Sequence, residues 1–158
     1  MRKRILAVVA FTFLLVSCSS QQQPAAPEAS KAVEAPKPRD EWRRFPRAEI
    51  VDTKVIDNNL MGKPFMPGGT LGRYKTGAAE YEMFVAKTAS PDEATILLVD
   101  WKKALADSKL VSSFGGYSGT DAGRPIFVFT KGAWIAGVAG LPQKEAEPKA
   151  SLLAAYLD

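Results

Sequence analysis

The chain has 158 residues, 21 Lys and Arg against 17 Asp and Glu, a formal net charge of +4 and one cysteine. It has no histidine, which excludes histidine-based catalytic triads, histidine general bases and zinc sites that need imidazole ligands. A single cysteine cannot form an intrachain disulfide, so the fold has to depend on its hydrophobic core.

The N-terminal residues have the pattern of an export signal. Arg2, Lys3 and Arg4 precede an apolar run, residues 5–16, in which only Thr12 is polar. Twelve helical residues extend about 18 Å, whereas the hydrocarbon core of a bilayer is about 30 Å thick. The run is too short for a lasting transmembrane anchor, and residues 1–17 are predicted to be a signal peptide that is removed.

The end of this run, Leu15-Val16-Ser17-Cys18, resembles the lipobox of bacterial lipoprotein precursors. The resemblance implies that the Cys18 sulfur receives a diacylglycerol and that cleavage falls between Ser17 and Cys18. The residue chemistry agrees, because a thiol is a strong nucleophile and Ser17 is small enough for a cleavage pocket. The alternative is an ordinary secretory signal in which Cys18 is incidental.

The expected location is the cell envelope, with the protein attached to the membrane through lipid at Cys18. In lipoproteins of this kind a serine after the cysteine, here Ser19, favours the outer membrane, facing the periplasm, if the bacterium is diderm. Three basic residues leave with the signal, so 18 basic residues face 17 acidic ones and the net charge becomes +1. A nucleic-acid partner is therefore not expected. The partner considered instead is another protein of the envelope.

Residues 18–40 form the lipidated cysteine and a predicted disordered tether, because they are mostly Ser, Gln, Pro, Ala, Glu and Lys. The 22 residues after Cys18 would span roughly 75 Å when fully extended. Residues 39–47 then hold four arginines with Trp42 and Phe45. Two interpretations are open: contact with anionic lipid head groups or another envelope polymer, or a solvated lead-in whose aromatic rings dock on the domain. The second is favoured.

Residues 41–158 are predicted to form one domain. A strand is expected at 49–56, interrupted structure at 57–77, and a second strand at 80–88. Ser90 and Glu93 form a capping box for a helix at 91–107, whose apolar stripe is Ala94, Leu97, Leu98, Trp101 and Leu105.

A glycine-broken stretch, 111–119, separates that helix from a predicted β-hairpin. Lys131-Gly132 joins the hairpin strands at 125–130 and 133–141. A helix at 147–157 presents Leu152, Leu153 and Tyr156 to the sheet. The sequence thus predicts an α+β fold of two layers, a mainly antiparallel sheet packed by two helices. It loosely resembles uncharacterised envelope domains with a strand, a Ser-Pro-Asp-Glu-Ala helix start and an aromatic hairpin, which implies no activity.

Four residues are candidate ligand contacts: Glu80, Glu82, Asp121 and Arg124. Glu80 and Glu82 share one face of a strand, and paired carboxylates serve glycoside chemistry or hold a hard cation. The simpler interpretation is the solvated end of a strand. Asp121 and Arg124 lie in a glycine-rich stretch before the hairpin, which is read either as a ligand-gripping loop or, the favoured interpretation, as a plain surface connection. Gly68–Gly72 lacks the setting of a phosphate loop and is read as turn or bulge glycines.

The leading hypothesis is a membrane-tethered envelope lipoprotein that acts without catalysis, through binding or assembly. No catalytic residue, metal or cofactor is assigned. One alternative is a carboxylate-based enzyme acting on an envelope glycan or lipid, motivated by Glu80, Glu82 and Asp121. The other is a small-ligand carrier with a cleft beside the hairpin.

Overall fold

The computed structural model describes residues 38–158. The predicted signal peptide, Ser17, Cys18 and most of the predicted tether lie outside these residues. The strands are β1 (Ile50–Asn58), β2 (Pro67–Thr76), β3 (Ala79–Lys87), β4 (Ala106–Val111), β5 (Gly116–Asp121), β6 (Arg124–Lys131) and β7 (Trp134–Ala139). The helices are α1 (Pro91–Ala104) and α2 (Gln143–Ala154), and short 3-10 turns occur at Trp42–Arg44 and Leu60–Gly62.

All seven strands form one antiparallel sheet in the order β1-β2-β3-β7-β6-β5-β4. It consists of two meanders, β1–β3 and β4–β7, whose inner strands β3 and β7 pair with each other. Helix α1 connects β3 to β4 at the far edge. The predicted hairpin, β6 and β7, lies in the middle of the sheet, as its nearly continuous apolar sequence suggests.

The two helices pack on opposite faces of the sheet. On the α1 face, Trp101 packs with a cluster that includes Phe84 and Val128. On the α2 face, Leu153 packs with a cluster that includes Phe127. Successive strand residues point to alternate faces, so neighbours such as Phe127 and Val128 serve different clusters. The predicted α+β class, a mainly antiparallel sheet packed by two helices, is confirmed. The sequence predicted two layers, but the structure has three, because α1 covers one face of the sheet and α2 covers the other.

Helix α1 begins as its sequence predicts. The Glu93 backbone N–H donates to Ser90 Oγ at 3.2 Å, and Pro91 occupies the first turn. The return bond of the capping box differs from the prediction, since Glu93 Oε2 accepts from the Ala89 N–H at 2.8 Å rather than from Ser90. The predicted apolar stripe is buried. The helix ends at Ala104 because Leu105 adopts an extended conformation.

Three strands were not predicted from the sequence. β2 lies in the segment 57–77, which was expected to be interrupted, and β4 and β5 lie on either side of the glycine-broken stretch 111–119. The glycines of β2 allow close packing rather than turns. A Cβ on Gly69 would clash with the Val85 carbonyl oxygen, and one on Gly72 would lie 2.9 Å from the Phe45 ring. The interpretation of these residues as turn or bulge glycines was therefore wrong.

Helix α2 begins at Gln143, four residues before the predicted start. Leu153 is buried as predicted, but Leu152 is 45% exposed and Tyr156 40% exposed, so their predicted contact with the sheet was wrong. Their places are taken by Ala146, Ala150 and Leu157. Within residues 38–158, neither helix combines the length and apolar character needed to cross a bilayer.

Candidate functional site

Three of the four candidate residues line one open groove of about 380 Å³. Glu80 and Glu82 lie on β3, and Arg124 is the first residue of β6. Arg73 and Lys75 of β2 complete the charged lining. The structure thus brings together side chains that are more than 40 positions apart in the sequence.

Strand register fixes the order of these charges. In the β2–β3 pairing Arg73 is opposite Glu82 and Lys75 is opposite Glu80. Opposite residues on antiparallel strands have their Cβ atoms about 4.5–5.5 Å apart, and opposite charges at such positions are favourable. Basic side chains from one strand therefore alternate with acidic side chains from the next along the floor of the groove.

Arg124 reaches this row from the other side of β7. Its Nη1 lies 2.5 Å from Glu82 Oε2, and its Nη2 donates to the Ala139 carbonyl oxygen at 3.2 Å. Gly140 leaves room for the guanidinium, since a Cβ there would lie 3.1 Å from Arg124 Nη2. Gly140 also has a φ of +100°, which L side chains rarely adopt. Gly140, which directly follows β7, thus leaves the space in which Arg124 of β6 bonds to Glu82 of β3.

The row of charges continues to the edge of the sheet. Arg73 donates two hydrogen bonds to Asp52 of β1, at 2.7 and 2.6 Å. These bonds hold the pKa of Asp52 below its ordinary value, and they raise the pKa of Arg73, to which Glu80 and Glu82 add. Asp52, Arg73, Glu82 and Arg124 form a line of alternating charge that we call the charge ladder.

The carboxylates of the groove each have a cationic partner. Glu82 bonds to Arg124, and Glu80 Oε1 lies 3.2 Å from Lys75 Nζ. An acid–base pair must instead direct its oxygens at a substrate atom. Within the described residues, no group of three or more His, Cys, Asp and Glu side chains is placed to hold a metal ion. The arrangement is an open groove lined by ion-paired side chains.

Asp121 does not join this groove. Its Oδ1 accepts a hydrogen bond from Lys63 Nζ at 2.6 Å. Asp121 and Arg124 line a second hollow of about 240 Å³ together with Met61 and Ile126. The two hollows share Arg124, so this arginine is the residue that connects all four candidates.

Arg73 and Lys75 were missed because β2 was not predicted. A signal was present in the sequence, where Arg73-Tyr74-Lys75 and Glu80-Tyr81-Glu82 have complementary charge on either side of Gly77. Gly77 has a φ of +60° and forms, with Ala78, a two-residue hairpin loop. Read as a hairpin, this stretch would have placed the four charged side chains on one face.

Comparison with protein-family models, curated proteins and solved structures gave no match. The function of the chain is therefore inferred from its own residues.

Proposed function

We propose that the protein is a lipid-anchored envelope lipoprotein that acts without catalysis, by binding or assembly at the membrane. The observation that carries the proposal is Cys18, the single cysteine, at the end of the apolar run and directly after Leu15-Val16-Ser17. Acyl chains on that sulfur contribute about 0.8 kcal/mol per buried methylene, so two or three chains would hold the protein on a bilayer.

The test of the anchor is metabolic labelling of the full chain with a fatty acid in a bacterial host. The native chain should incorporate the label and fractionate with membranes. Cys18→Ser should lose both, because a hydroxyl cannot replace the thiol as acceptor. An unlabelled, freely released chain with Cys18 intact would contradict the proposal. Crosslinking in intact cells then searches for an envelope partner, and a reproducible lack of one would count against an assembly role.

A second candidate, small-ligand binding, is favoured by the groove. Its volume lies within the range of about 300–1,000 Å³ typical of ligand sites. A guanidinium has five N–H donors, so Arg73 and Arg124 keep donors for a carboxylate beyond those bonded to Asp52 and Glu82. Glu80 pairs with Lys75 but is 74% exposed, so its carboxylate is accessible to an ammonium group. A small zwitterion therefore fits the groove better than an apolar molecule. The groove lies beside the start of β6, at the strand end away from the Gly132-Ala133 turn.

Native mass spectrometry of the full chain with an amino-acid mixture tests this candidate. Arg124→Gln should remove a ligand bound in the groove, because it deletes the guanidinium shared by both hollows. Lys103→Gln is the matched control, since Lys103 pairs with Asp100 on α1 and does not line the groove. A ligand that is retained equally by both variants would exclude the groove as its site.

The carboxylate-based enzyme has less support. Asp121 is hydrogen-bonded to Lys63, and Glu82 to Arg124. Both carboxylates thus bond to side chains of the same chain, as residues of structural ion pairs do. Replacing Glu80, Glu82 and Asp121 by their amides in turn, in assays on envelope glycans and lipids, would detect an enzymatic role as lost turnover.

A further inference from the structure

The segment just before β1 presents arginines around an exposed aromatic ring. The guanidinium of Arg47 lies 3.8 Å from the centre of the Trp42 ring, and that of Arg43 lies 5.5 Å from it. Trp42 is 39% exposed. Arg44 belongs to the same 3-10 turn and lies 5.3 Å from the ring of Trp134.

A lysine completes the cluster. Lys87 Nζ lies 5.4 Å from the centre of the Trp134 ring, on the same residue that Arg44 contacts. We call Trp42, Arg43, Arg44, Arg47, Lys87 and Trp134 the basic–aromatic patch. Cation–π contacts group Arg43 and Arg47 around Trp42, and Arg44 and Lys87 around Trp134. The neighbouring residues Arg43 and Arg44 connect the two groups along the chain.

The segment that carries the patch is fixed to the domain. Phe45 is fully buried, and the Pro46 carbonyl oxygen accepts a hydrogen bond from Tyr74 Oη at 3.0 Å. The Glu41 N–H donates to Thr70 Oγ1 at 3.0 Å. The sequence predicts that both aromatic rings of residues 39–47 dock on the domain. Phe45 does so, whereas Trp42 is exposed. A held backbone with an exposed tryptophan and exposed arginines is the composition of an interfacial contact.

Three of the four cations in the patch have no ion-pair partner among the described residues, although Asp158 accepts a hydrogen bond from Trp134 Nε1 at 3.3 Å. Arg43, Arg47 and Lys87 form no ion pair within residues 38–158. Arg44 has a weak contact with Glu41 at 3.8 Å, and Asp40 Oδ1 accepts from the Trp42 N–H. The acidic neighbours therefore offset only part of the positive charge, and an anionic surface would be attracted.

We propose that the basic–aromatic patch rests on the anionic phospholipid surface of the membrane that carries the protein. This inference deepens the proposed function, since it supposes that Cys18 is the anchor. Pro38, the first described residue, stands 20 positions after Cys18 and four before Trp42. The predicted tether would confine the domain to the neighbourhood of the bilayer and so raise the effective concentration of the patch there, so a weak surface affinity would be sufficient to dock the domain.

Quenching of tryptophan fluorescence by brominated phospholipid tests this contact. The full chain, purified from the membranes of a bacterial host, is reconstituted in vesicles of phosphatidylcholine alone or mixed with phosphatidylglycerol. Trp101 and Trp134 are 0% and 3% exposed, so Trp42 reports contact with lipid. Quenching should be strong only with phosphatidylglycerol, should fall with added salt, and should be lost in Trp42→Phe.

Arg43→Gln combined with Arg47→Gln should lower the ratio of docked to undocked domain roughly thirtyfold, since each basic residue near an anionic surface is worth about fivefold. The control is Lys54→Gln with Lys109→Gln, which removes two exposed lysines from the edge strands β1 and β4. Quenching that is equal in the two lipid mixtures, or unchanged by the arginine pair, would overturn the proposal.

Mass spectrometry of Cys18 on the same sample separates the two proposals. An acylated chain without lipid-dependent quenching retains the anchor and refutes the patch. An unacylated chain is coupled through its Cys18 thiol to a maleimide lipid in the same vesicles, where phosphatidylglycerol-dependent quenching would still support the patch and its absence would refute it.

Discussion

Glu49 joins three separate parts of the α2 face through one carboxylate oxygen. Its Oε2 accepts hydrogen bonds from Thr76 at 2.6 Å, Tyr81 at 3.3 Å and Lys149 of α2 at 2.7 Å. The backbone of Glu49 is also left-handed, with a φ of 69°. The residue therefore links the start of β1 to the β2–β3 hairpin and to the C-terminal helix.

The stability of the fold should depend on pH through Glu49. The bond from Lys149, with that from Thr76, holds the pKa of Glu49 below its ordinary value. A lowered native pKa means that the stabilisation is present above the unfolded pKa, about 4.3, and is lost as pH falls through the native pKa. Urea midpoints should therefore decrease on acidification below about pH 4.5.

Glu49→Gln should reduce that decrease, because the amide does not titrate. Asp57→Asn is the control, since Asp57 is exposed and forms no ion pair within the described part of the chain. The same acid dependence in Glu49→Gln and in the native chain would show that another carboxylate is responsible.

At the scale of the element, α1 illustrates how local chemistry sets a boundary. Ser90→Ala removes the acceptor for the Glu93 N–H and should destabilise the protein by about 1 kcal/mol. Ser90→Asp retains an acceptor and adds a negative charge at the helix N-terminus, so it should restore most of the loss. Urea unfolding monitored by circular dichroism gives both values. If Ser90→Ala unfolds at the native midpoint, the cap contributes nothing measurable.

Elements with local signals could be predicted from the sequence, and elements that depend on distant contacts could not. The cap at Ser90 and the hairpin glycine Gly132 carry their own information, although the turn is Gly132-Ala133 and not the predicted Lys131-Gly132. The glycines of β2 do not, because Gly69 is required by the Val85 backbone and Gly72 by Phe45. From the local sequence these glycines indicate an interrupted strand, whereas in the folded protein they allow other chain segments to approach the β2 backbone closely.

The same distinction applies to the candidate site. Glu80 and Glu82 could be placed on one face from the period of a strand. Their pairing with Arg124 depends on β7 lying between β3 and β6, which no local pattern determines. Asp121 was grouped with them because it is near Arg124 in sequence, yet its hydrogen-bond partner is Lys63, on the loop between β1 and β2.

For the whole molecule, the shared sheet should make the two hydrophobic clusters unfold together. Leu153→Ala empties a fully buried site on the α2 face and should cost about 2–5 kcal/mol. Its neighbour Leu152 is largely exposed, so Leu152→Ala should change stability by less than about 0.5 kcal/mol.

In Leu153→Ala the fluorescence of Trp101, which lies on the α1 face, should change at the same urea concentration as the circular dichroism signal. Trp42 and Trp134 would also contribute to the signal, so the measurement is made in a background of Trp42→Phe and Trp134→Phe, which leaves Trp101 as the single tryptophan. Separate transitions would show that the two faces are independent units, contrary to the single domain that the sequence predicts for residues 41–158.

The position of β7 has a consequence for biosynthesis. Among residues 38–158, β7 is the last strand in sequence order, yet it is the one that joins the two meanders. Until a nascent chain has been delivered as far as Ala139, the inner edge of β3 and that of β6 remain unpaired and open to other polypeptides. Premature termination between Lys87 and Ala139 would thus release fragments with an unpaired, aggregation-prone edge on β3.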